Sequence, residues 1–220
     1  MLIAALLTGA VAIVWRLSGV RRQAGLAAVA MLALAFLSPL CGLTTALFAA
    51  RAVHHVLLIA VVAPLLAVAF PARFGLTSVP LTLAASTAAL WAWHWPPAYA
   101  AALGNVGIYW AMQAALVASA WAFWNAVRIA APLTGVAGII GGAVQMGFLG
   151  ALLTFAARPL YAAHEQTTAP FGIGHLADQQ YAGLIMWVPG MLPYALAAGW
   201  LAIRRWSAMN ASGQPAGTPA

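Results

Sequence analysis

This sequence predicts an all-α polytopic membrane protein, a bundle of about seven transmembrane helices, and three observations point there. Hydrophobic residues fill 65% of the 220 positions and charged residues only 5%, too few charges to cover a soluble surface. The apolar residues come in runs of about 20, the length that crosses a bilayer core as a helix. No alternation of period two is present, so helices are the only spanning form left.

The first run, 2–18, opens as "MLIAALLTGAVAIVW". Its positive charges, Arg16, Arg21 and Arg22, follow the apolar stretch instead of preceding it. That order is the reverse of a signal peptide, so the run is read as a span. The second span covers 22–40. The next piece, "LCGLTTALFAAR" at 40–51, is too short to cross and reads as a re-entrant or interfacial link. Spans three to seven lie at 52–70, 78–95, 105–127, 134–156 and 180–203. Pro39, Pro96, Pro132 and Pro159 fall at run ends, where a missing N–H costs least. Pro64, Pro189 and Pro193 lie inside runs and are expected to kink them. Gly138 and Gly142 form a small-xxx-small pair that lets helices approach closely. One transmembrane domain is expected over 1–206, followed by a disordered cytoplasmic tail over 207–220, which ends in the small, polar "NASGQPAGTPA".

The charges suggest an orientation. The nine basic residues are all arginine, against only Glu165 and Asp178. They stand singly or in pairs beside apolar runs, so they read as topology anchors and not as a nucleic-acid surface. With the N-terminus outside and the C-terminus cytoplasmic, Arg16, Arg21, Arg22, Arg73, Arg128, Arg204 and Arg205 fall inside, and only Arg51 and Arg158 fall in outer loops. Cys41 is the single cysteine, which excludes an intrachain disulfide.

The same topology gathers the groups that carry chemistry on the outer face: His54, His55, His94, His164, His175, Glu165 and Asp178. Histidine and carboxylate bind zinc, copper or iron, and thioethers favour Cu(I). The candidate metal ligands are His55, His94, Asp178 and Met186, with His54 and His164 beside them. His54 and His55 lie about 100° apart on a helix and cannot share one face. Met186 is eight residues past Asp178, roughly 12 Å deeper, so one ion cannot touch both. Plainer readings stay open: interfacial histidines, an aromatic belt in "WAWHWPP", and Asp178 as the cap of its own helix. No hydrolase triad, phosphate loop, dinucleotide fingerprint or HExxH pattern occurs, so no enzyme activity is expected.

Several segments in order, "LSPL", "HHVLLIAVVAPLL", "WHWPPAYAAAL", "GALLTFAARPLY" and "FGIGHLADQQYAGLIMWVPG", resemble the multi-spanning bacterial cytochrome c oxidase assembly factors called CtaG. The resemblance runs from about residue 37 to 200. It implies a role in forming a copper centre of a haem–copper oxidase at the outer face of the bacterial plasma (inner) membrane. Oxidase subunits and a copper donor would be the partners, and copper the bound metal. It maps onto His55, His94, Asp178, Gln179 and Met186. Arg51 stands where the family pattern has a further histidine, and Gln113 is the nearest counterpart of another. His55, rather than His54, is expected to face the bundle and approach His94. A haem-binding membrane cytochrome with His55 and His94 as axial ligands and a metal-free scaffold for oxidase subunits are the competing readings.

Overall fold

A computed structural model describes residues 2–72 and 78–212, with side chains from 3 to 203. Among the described residues every regular element is helical. Helices α1 (Leu2–Trp15) and α2 (Gly19–Leu37) form a hairpin, with Gly19 at φ 53 making the left-handed turn. Ser38 caps α3 (Pro39–Ala46) by accepting from the Leu40 N–H, and Pro39 occupies the first turn. Next comes a continuous rod built from α4 (Phe48–Val56), a π-helical stretch (Leu57–Val62) and α5 (Ala63–Ala69). Helices α6 (Val79–His94), α7 (Pro96–Gly104), α8 (Val106–Ile129) and α9 (Pro132–Phe155) follow. A segment with short 3-10 turns then leads to α10 (His175–Trp187) and, after a further 3-10 turn at Pro189–Met191, to α11 (Leu192–Ser212).

Five of these helical stretches are long and apolar enough to cross a membrane: Gly19–Leu37, Phe48–Ala69, Val106–Ile129, Pro132–Phe155 and His175–Ile203. Two runs expected to span form shorter helices, α1 with 14 residues and α6 with 16. The 40–51 link divides into α3 and the first turn of α4. Arg51, expected in an outer loop, lies inside α4 and is fully buried. Helix α11 continues to Ser212, into the segment expected as a tail. The remaining tail residues, 213–220, and Arg73 lie outside the described residues.

The rod Phe48–Ala69 is the centre of the bundle, with 56% of its span buried against 17–39% for the other four. Its conformation follows from Pro64. A proline has no N–H and its ring crowds the preceding turn. The rod opens into i→i−5 pairing, with the Ala63 N–H reaching the Leu58 carbonyl. In that register Pro64 would serve the Ile59 carbonyl, which the Trp124 indole N–H satisfies instead at 3.1 Å. The expected kink is thus a local unwinding, stabilised by a tryptophan from α8.

The far end of the rod is closed by α2 and α8. Arg128 donates to the Ala67 carbonyl at 2.6 Å, Arg21 to Ala69 at 3.0 Å and Trp121 to Phe70 at 3.1 Å. Cations at a helix C-terminus satisfy its bare carbonyls and oppose its dipole. The small residues act locally. A Cβ on Gly138 would strike Val79 of α6, and one on Gly142 would sit 3.0 Å from Tyr194 of α11. The backbones of α9 and α10 approach closely at Gly150 and Gly183, where a Cβ on Gly150 would lie 2.7 Å from the Gly183 carbonyl.

Candidate functional site

The opposite end of the rod begins at Phe48, where Leu47 occupies the cap position and offers no side-chain acceptor. The free N–H groups of that turn must find one elsewhere. Asp178 supplies it: one carboxylate oxygen accepts from the Phe48 N–H at 2.7 Å and the other from the Ala49 N–H at 3.1 Å. Asp178 is fully buried in the first turn of α10, whose own cap is Gly174. Sequence reasoning put Asp178 at the N-terminus of its own helix; it caps a different helix 130 residues away.

Gln179, next in line, fastens the segment before α10. Its amide oxygen accepts from the Leu160 N–H at 2.6 Å, and its amide nitrogen donates to the Leu153 carbonyl at 3.4 Å. His175 binds the same segment through its Nε2 and the Tyr161 carbonyl, 2.8 Å apart. The polar run ahead of the last span therefore works mainly as a clasp.

Above the rod's first turn, Phe48 centres an aromatic cluster. Its ring lies 4.2 Å from Tyr161, 5.2 Å from Tyr99, 5.9 Å from His164 and 6.4 Å from His94. His164 is fully buried with both nitrogens engaged, Nδ1 with the Ala46 carbonyl at 3.3 Å and Nε2 with the Tyr99 hydroxyl at 2.7 Å. A carbonyl only accepts, so Nδ1 donates and Nε2 accepts from the hydroxyl. Burial pulls the His164 pKa below the ordinary histidine value and pushes the Tyr99 and Tyr161 hydroxyls above the usual tyrosine range. The tyrosines are therefore constant donors. Tyr161 donates its O–H to the His94 carbonyl at 2.7 Å, fixing the end of α6.

Two turns into the rod, His55 meets His94 of α6. Their ring centroids are 5.4 Å apart and the planes are nearly perpendicular, at 80°. Exposure is 1% for His55 and 4% for His94. The His94 Nδ1 is 2.7 Å from the Leu90 carbonyl, so it carries the proton and leaves Nε2 as a bare lone pair. That Nε2 has no hydrogen-bond partner, and neither has either nitrogen of His55. A buried polar atom without a partner is costly, and this edge-on pair of imidazoles carries three.

The other candidates engage the pair less directly, although the His54 ring lies 6.1 Å from that of His55. His54 turns toward α2, edge-on to Phe36 at 4.9 Å, and neither of its nitrogens has a partner. Glu165 is exposed and Cys41 is half-buried with a free thiol. Helix α10 and the 3-10 turn after it run in the same direction as the rod: Asp178 binds at Phe48, and a Cβ on Gly190 in that turn would lie 3.3 Å from Val56. Met186 therefore lies at about the depth of His55, roughly 10–12 Å below the capped turn, and is buried. Among the described residues no group of three His, Cys, Asp or Glu side chains could hold a metal. Arg51, one turn before His55, is fully buried, donates to the Thr44 carbonyl at 3.0 Å and lies over the rings of Tyr99 and Tyr109.

Phe48, Tyr99 and Tyr161 were not singled out from the sequence. No spacing rule marks any of them; the one available signal was Leu47, a helix start without a capping side chain.

Comparison with protein families matches residues 72–208 to the family described as cytochrome c oxidase caa3 assembly factor (Caa3_CtaG). The match covers more than half of the chain and includes His94, His164, Asp178 and Met186, whereas His54 and His55 precede it. No curated protein and no solved structure matches. This chain, an all-helical membrane protein, belongs to the cytochrome c oxidase caa3 assembly factor family.

Proposed function

We propose that this chain is a non-catalytic assembly factor that holds a Cu(I) ion between His55 and His94 and presents it, at the outer face of the bacterial plasma membrane, to a copper centre of the oxidase. The observation that carries the reading is the buried imidazole pair with three unpartnered nitrogens, one set as a ligand by the proton held on the other side of its ring. Copper is cargo here. A monovalent ion suits the place, since the cost of burying charge grows steeply with its magnitude and Asp178, the one buried carboxylate, is already committed to two N–H groups. Imidazole suits copper, and the thioether of Met186 at that depth would favour the reduced ion. His54 and His164 serve packing and clasping in this reading. A haem between the histidines has less support, because neither borders the cavities of about 660 and 230 Å³.

The proposal includes seven crossings, with α1 and α6 as short spans, the N-terminus outside and the C-terminus cytoplasmic. Arg21 and Arg128 close one end of the rod while the histidines and both acids gather toward the other, in keeping with a positive-inside arrangement. Complementation of a deletion strain tests the function. His55→Ala and His94→Ala should accumulate in the membrane yet leave the oxidase short of copper, and His54→Ala should restore it. Full rescue by His55→Ala would overturn the proposal.

A further inference from the structure

A cavity of about 660 Å³ forms a groove at the arginine end of the bundle, far from the histidine pair. Its walls are apolar: Pro64 and Val68 from the rod, Trp124 of α8, Ile139 of α9 and Ala197 of α11, with Arg128 on its rim. Ile139 stands seven residues into α9, so the groove reaches roughly 10 Å from the helix end, the depth of about half an acyl chain.

The rim carries unbalanced charge. Arg128 and Arg21 each give one N–H to adjacent carbonyls of the rod and are otherwise exposed. Arg22 neighbours them in sequence. Only two acids exist in the whole chain. Asp178 is fixed at the rod's other end, and Glu165 stands beside His164 in the same region. Neither acidic side chain of this chain lies near the arginines, so they are open to a counter-charge from outside. An oxyanion joined to a hydrocarbon chain satisfies both halves of the site.

We propose that this groove binds an anionic phospholipid, its phosphate on Arg21 and Arg128 and one acyl chain along Pro64, Trp124 and Ala197. The lipid fills the seam between α5, α8, α9 and α11 and neutralises the paired cations that close the central rod.

The purified full chain in neutral detergent, titrated with phosphatidylglycerol or phosphatidylcholine of the same acyl chains, tests this by native mass spectrometry and thermal unfolding. Phosphatidylglycerol should bind more tightly and raise the unfolding temperature. Arg128→Gln should weaken it about fivefold, the effect of one arginine near a lipid phosphate, and leave phosphatidylcholine unchanged. Ala197→Trp, which fills the groove and keeps both arginines, should weaken both lipids and decides the matter if Arg128→Gln does not fold. Equal binding of the two lipids by the unaltered protein, unchanged binding by Ala197→Trp, or the same thermal shift from inorganic phosphate alone would overturn the proposal.

Discussion

Asp178→Asn is a change of one atom, and the structure gives it a definite cost. Both carboxylate oxygens are used, on the Phe48 and Ala49 N–H groups at 2.7 and 3.1 Å, in a fully buried position. An asparagine keeps one acceptor but turns an NH2 group toward the second N–H, so one charge-assisted bond is lost and a buried donor is left facing another. Bonds to charged groups contribute about 1.5–3 kcal/mol, and an unsatisfied buried donor costs a similar amount. The lost bond and the stranded donor are one event counted once, so the variant should lose about 2–3 kcal/mol, a fall of about 4–12 °C in unfolding temperature for a chain of this size. Asp178→Ala, which abandons both N–H groups, should lose more. The strain falls on the first turn of α4, two turns above His55, so copper affinity should drop with stability. Thermal unfolding of the purified variants, with Cu(I) titration in parallel, checks this. An asparagine variant that melts and binds like the parent would refute the capping argument, because an asparagine at an ordinary helix cap is nearly neutral.

Three further outcomes follow from other contacts. Gly183→Ala pushes a methyl group into the backbone of α9 at Gly150, where no flexible side chain can yield; it should cost about 2–3 kcal/mol or more, read as lost folded protein in membranes. Trp124→Phe leaves the Ile59 carbonyl bare beside Pro64, and should cost about 1–3 kcal/mol in thermal unfolding. His164 must be neutral at Nε2 to accept from Tyr99, and burial holds its native pKa below the ordinary 6.5. Released from its site it takes up a proton first, so docking of the 156–174 segment is fully stable above pH 6.5 and weakens as pH falls from there through the lowered native value. Limited proteolysis of that segment against pH should show the step, and His164→Gln should remove it.

The parts of the fold that depend on composition and local pattern were legible in the sequence. Long apolar runs became helices, and prolines at run ends became first turns, as at Pro39, Pro96 and Pro132. Adjacent residues on a helix face different ways, which set His55 apart from His54; the choice of His55 came from the family resemblance, and the geometry brings its ring 5.4 Å from that of His94. Long-range partners were not legible. Asp178 looked like the cap of the helix it begins, because capping statistics are local; its real partners lie 130 residues back. Arg51 looked like a loop charge because an arginine at a run boundary usually is one, but the helix starts one turn earlier and carries it inside. Pro64 signalled a kink, while its form as a π-helical stretch depends on Trp124, which no local rule connects to Ile59.

The measurement that bears most directly on the central claim is X-ray absorption at the copper edge of the purified protein loaded with Cu(I) under reducing conditions. The account predicts about one copper per chain, bound by two imidazole nitrogens with or without one sulfur. That signal should be lost in His55→Ala and His94→Ala and kept in His54→Ala. A protein that retains no copper, or a copper environment unchanged when His55 and His94 are both replaced, would contradict it.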